Sequence, residues 1–62
     1  MTHSQCRQAA AHMRAHGTPF FQLIGAAWYL AGAANQTRLD EAFRPMFAYH
    51  AGIAERDAPA TD

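Results

Sequence analysis

Valine and lysine are absent from these 62 residues, serine occurs once, at Ser4, and cysteine once, at Cys6. Each gap excludes something. A single cysteine cannot close an internal disulfide, so one common means of completing a very small fold is missing. One serine, no lysine and no glycine-rich phosphate loop leave little for catalysis to use. Asp40 and Glu41 are adjacent, and neighbours on a helix point about 100° apart, so the two carboxylates cannot flank one substrate bond. A chain this short also lacks room for a preorganised pocket, and the expectation is a protein that is not an enzyme. Net charge is missing too: five Arg balance five acids, and the pI is near 6.9. That balance gives neither the basic footprint of a nucleic-acid binder nor the acidic surface of a DNA mimic.

Half of the residues are apolar, but fifteen are alanine, which buries little area. The large apolar groups are five Leu or Ile, seven aromatics and three Met. At about 25 cal/mol per Å² such a set leaves only about a few kcal/mol once conformational entropy is subtracted. Small domains normally recover that deficit with disulfides, a metal or a partner chain, and without disulfides a metal or a partner remains.

The pattern along the chain is helical throughout, with no strand signal and no internal repeat. Thr2 and Gln5 form a capping box, and Cys6, Ala9, Ala10 and Met13 follow on one stripe. Gly17 is placed for a left-handed stop, and Thr18-Pro19 for a restart as N-cap and first helical residue. The first helix is therefore expected over about 3–16 and the second over about 19–33. Asn35 is expected to cap a third helix carrying Leu39, Ala42 and Phe43 inward, with Asp40 and Glu41 in its early turns. Pro45 predicts a break or kink at Arg44. A fourth helix, over about 45–55, presents Met46, Tyr49, His50 and Ile53. The expected domain is 1–56, with a disordered tail at 57–62.

The second helix, within "PFFQLIGAAWYLAGAA", is the unusual one. Phe20, Leu23, Ile24, Ala27, Leu30 and Ala31 share a broad apolar face, flanked by Phe21 and Trp28. The opposite side holds Gly25, Ala26, Gly32 and Ala33 around Gln22 and Tyr29, and carries no charge. A helix without a solvated face must be covered on both sides. Either its companion helices surround it, or a second chain does. A membrane span needs about 20 apolar residues, more than fit between Pro19 and the polar run Asn35-Gln36-Thr37-Arg38, so a buried soluble helix is expected instead. The polar N-terminus is no signal peptide, and a cytoplasmic location, in a bacterial host, is expected.

The sequence offers two further chemistries. His12 and His16 stand at i and i+4, a two-ligand spacing, but His3 and Cys6 project from nearly the opposite side of that helix. A metal site would need His50 or a second chain, and no metal or other cofactor is expected. "LAGAANQTRLDEAFR" can be aligned as a helix-turn-helix with Asn35, Gln36, Thr37 and Arg38 reading bases. That alignment puts Trp28 where a small residue packs and aims Asp40 and Glu41 at phosphates, so nucleic acid is not the expected partner.

Residues 19–50 resemble a pattern in small proteins encoded by bacteriophages and other mobile elements: an aromatic pair, then Leu and Gly, an Asn-x-x-x-Leu helix start, Ala-Phe, a proline and a terminal aromatic. Phe20, Phe21, Leu23, Gly25, Asn35, Leu39, Ala42, Phe43, Pro45 and Tyr49 carry it, and Arg44 intervenes before the proline. Such elements encode many enzyme-free inhibitors of host machinery, anti-CRISPR proteins among them. The resemblance implies that setting.

The expected fold is all-α, a compact bundle of three to four short helices with the second at its centre, completed by homodimerisation. The expected function is stoichiometric binding to a bacterial host protein or defence complex. Trp28, Tyr29, Arg38, Arg44 and Phe47 are the partner-binding candidates, being aromatic or arginine anchors. Gln22, Gly25, Tyr29 and Gly32 are the candidates for the dimer interface. A DNA-binding regulator and a structural subunit of an oligomer are the alternatives.

Overall fold

The Thr2 hydroxyl accepts a hydrogen bond from the Gln5 amide at 3.1 Å, and the Gln5 side-chain oxygen accepts one from the Thr2 amide at 2.8 Å. This capping box opens the first of four helices in a computed structural model that describes residues 1–57. They are α1 (His3–His16), α2 (Pro19–Leu30), α3 (Ala33–Ala42) and α4 (Arg44–Asp57), and the described residues contain no strand. The chain is all-α, as expected. The expected domain ends one residue short of α4, which takes in Asp57; the rest of the expected tail, 58–62, lies outside the described residues.

The helix boundaries depart from expectation at three corners. Gly17 ends α1 in extended geometry, φ −72° and ψ 170°, rather than in a left-handed stop; its amide still reaches Met13 O at 2.8 Å. α2 ends at Leu30 because Ala31 and Gly32 are both extended, and Gly32, not Asn35, is the N-cap of α3. Polar contacts hold this corner: Gln36 Nε2 donates to Trp28 O at 3.0 Å, closing the end of α2, while Asn35 Oδ1 accepts from the Arg38 guanidinium at 2.8 Å. The third break falls at Phe43 (φ −116°, ψ 30°), one residue before Arg44. Pro45 then sits in the first turn of α4, where a missing N–H costs no helical hydrogen bond.

α1, rather than α2, is the central helix, packing extensively against both α2 and α4, while α3 makes lesser contacts with each. Its stripe of Cys6, Ala9, Ala10 and Met13 is buried, as the spacing predicted. Trp28 of α2 and Phe47 of α4 complete the fully buried core, with Phe21, Ile24, Leu39, Phe43 and Ala51 packed around it. Alanines at the centre make this possible. They let the neighbouring helices approach closely and leave space for two large aromatic rings, each of which buries far more area than an alanine.

Candidate interaction surface

The rotation of α2 about its own axis decides which residues the chain offers to the outside. Gly25 sets it. A β-carbon built there would lie 2.5 Å from Ala10 O and 2.8 Å from Arg14 N, so only glycine permits α1 and α2 to come this close. Three residues on, Trp28 enters the core, and its indole Nε1 donates to Asp40 Oδ1 at 2.9 Å. Tyr29 flanks the contact: its hydroxyl donates to Arg7 O at 3.0 Å, and the Arg14 guanidinium carbon lies 4.7 Å from its ring centroid. At the other end of α2, Phe20 and Phe21 both meet the Phe43 ring, edge-on.

These contacts bring the edge of α2 that carries Phe21, Ile24, Gly25 and Trp28 inward and leave much of the broad apolar face outward. Phe20 is 56% exposed, Leu23 71% and Leu30 88%, with Ala27 exposed between them. Positions 20, 23, 27 and 30 fall on one stripe at helical spacing. The helix has no charged residue, so nothing on α2 itself interrupts that face with charge. All four belong to the broad apolar face read from the sequence, whose Ile24 alone of the large residues packs against the core. The signal that identifies them as outward is the match between the α1 alanines and Gly25, which admits a close helix pair and no leucine.

The expected contact residues fall into different places. Trp28 and Phe47 are each 1% exposed, so both are core and neither presents a side chain to a partner. Gly25, expected at a dimer interface, is buried within the chain against α1. Gln22, Tyr29 and Gly32 are exposed, and nothing lies within 4 Å of a β-carbon built on Gly32. Arg38 is exposed and tied to Asn35. Arg44 is exposed and, with Met1, Cys6, Thr37, Asp40, Glu41 and Phe47, lines a shallow cavity of about 220 Å³.

The chemistry of that cavity is subdued. Burial first, and the neighbouring Asp40 carboxylate second, push the Cys6 thiol up from its ordinary value, which keeps it protonated and weakly nucleophilic at neutral pH. The residues of the helix-turn-helix alignment are occupied within the chain: Gln36 by Trp28 O, Thr37 by Ala33 O, and Asn35 and Arg38 by each other. His50 comes to His12, with their Nδ1 atoms 2.8 Å apart, but among the described residues no three His, Cys, Asp or Glu side chains form a group that could hold a metal ion. No helix among the described residues is long and apolar enough to cross a membrane. Comparison with protein-family models, with curated proteins and with solved structures gives no match.

Proposed function

We propose that the chain is a non-enzymatic protein-binding module whose contact surface is the outward stripe Phe20, Leu23, Ala27 and Leu30 of α2. The observation that carries this is the exposure of three large apolar side chains on one uncharged helical face. Apolar surface grouped in this way marks a place where another surface docks, whereas scattered single residues need no explanation.

The partners of such a surface are a second copy of the chain or a larger protein. In the phage setting implied by the resemblance, the larger protein is a bacterial host factor or defence complex, bound stoichiometrically as by an anti-CRISPR protein. DNA binding through α3 is the weaker alternative, because the polar side chains it would use are engaged inside the chain.

The test compares the wild-type chain with Leu23→Ser/Leu30→Ser. Both leucines point outward, so the variant is expected to retain its helical circular dichroism and cooperative unfolding. Sedimentation at micromolar concentration should show an associating wild type and a monomeric variant. A wild type that is a stable monomer, or a variant that associates equally well, removes the stripe as a self-association surface.

A further inference from the structure

We propose that His12 and His50 form a proton-operated latch between α1 and α4, closed while at least one ring is neutral and forced open when both are cationic. The geometry is specific. The two Nδ1 atoms lie 2.8 Å apart and belong to residues 38 positions apart in the chain, one on the central helix and one on the last. A contact that short needs one Nδ1–H and one Nδ1 lone pair. Two neutral rings satisfy it when one carries its hydrogen on Nδ1 and the other on Nε2. One cation and one neutral ring satisfy it as well. Two cations cannot, because each then carries a hydrogen on Nδ1, and like charges face each other across a hydrogen-bond distance.

The position of the pair makes the contact consequential. His50 is only 6% exposed and lies one turn beyond Phe47, on the face of α4 that meets α1. Separating the rings therefore disturbs the seat of a core aromatic in the extensive α1–α4 contact. The rings in contact with the pair carry no compensating negative charge. On α1, His16 follows one turn after His12, ring centroids 4.8 Å apart, and on α4 Tyr49 meets His50 edge-on at 5.3 Å. Burial first, and the charge of His12 second, hold His50 below the ordinary histidine value. No buried side-chain nitrogen or oxygen among the described residues lacks a partner, so the pair is satisfied as it stands.

The sign of the effect follows from linkage. An unfolded histidine titrates near ~6.5, and His50 in the folded chain titrates lower. Between those two values the unfolded chain binds more protons, so stability is complete above about pH 6.5 and is lost as pH falls toward the folded value. In model peptides carboxylates titrate at about 4.3 and below and the α-amino group at about 7.7–8.0, so within the interval from pH 7.5 to 5 the histidines dominate below about pH 7.

The experiment is urea unfolding of the full chain across that interval, for the wild type, His50→Gln and His12→Gln. The wild-type unfolding constant should rise as pH falls, by at most about tenfold per pH unit for one proton. Glutamine can still hydrogen-bond but does not titrate, so each variant should show a flatter profile. Histidine-ring NMR of the wild type gives a readout that does not depend on a variant folding: His50 should titrate below the ordinary histidine value of about 6.5. A flat wild-type profile, a slope unchanged by both substitutions, or His50 titrating at or above about 6.5 would overturn the proposal.

Discussion

Gly25 and Gly32 belong to the same helix-rich sequence and have opposite roles. At Gly25 a methyl group would collide with backbone atoms of α1, which cannot swing aside as a side chain can. Gly25→Ala is therefore expected to destabilise the chain by about 1–3 kcal/mol, the usual range for overpacking, measured by urea unfolding at pH 7.5. Gly32 is open to solvent and is the N-cap of α3 without a capping side chain. Gly32→Asp should stabilise by about 0.3 kcal/mol in the same assay, since an aspartate there can accept a hydrogen bond from the first turn. Asp40 also has a structural role, accepting the only polar hydrogen of the buried Trp28 ring. Asp40→Ala leaves that N–H without its partner, and the expected cost is about 1–3 kcal/mol. Cys6, buried and held protonated, should react with iodoacetamide at pH 8 more slowly than a cysteine in a short peptide, and should gain that rate in urea.

At the scale of the elements, α2 is distinctive because its two sides are both apolar and differ mainly in bulk. Binary patterning distinguishes apolar from polar, and here it had no polar side to work with. The tertiary contact decides instead: the inward alanines of α1 meet Gly25 at close range, and the edge of α2 that follows inward carries Phe21, Ile24 and Trp28 with it. The residues that then point outward are the candidate contact surface, and the double leucine substitution probes them without touching the core. In α1 the local signals coincide. Thr2, Gln5 and the apolar positions 6, 9, 10 and 13 all pointed to one helix and one buried face, and local and tertiary preferences agree there. At Phe43 the break came one residue early, because proline tolerates the first turn of a following helix as well as it ends a preceding one.

For the whole molecule, the small core and the exposed stripe pose a single physical problem. A fully buried set of one Trp, one Phe, one Met, one Cys and two Ala is slight for a domain of this length. Association through α2 would add apolar burial and make stability depend on concentration. Circular dichroism on serial dilution from about 100 μM, a range in which weak association is measurable, should show helicity falling if the isolated chain is only marginally folded. Constant, cooperative helicity on dilution would mean that the single chain is sufficient, leaving the stripe for a different protein. The proposed His12–His50 latch would add a second control at this scale, with acid weakening the α1–α4 contact.

The sequence by itself determined the all-helical class, the capping of α1, its buried stripe and the lack of any charged face on α2, because these follow from local periodicity and from side chains acting within a turn or two. Tertiary structure alone decided the central helix, the inward turn of Trp28, the outward turn of Leu23 and Leu30, and the meeting of His12 with His50. Those outcomes depend on how closely two helices can approach and on which residues distant in the chain then come within hydrogen-bond reach. Neither quantity is carried by any single helix.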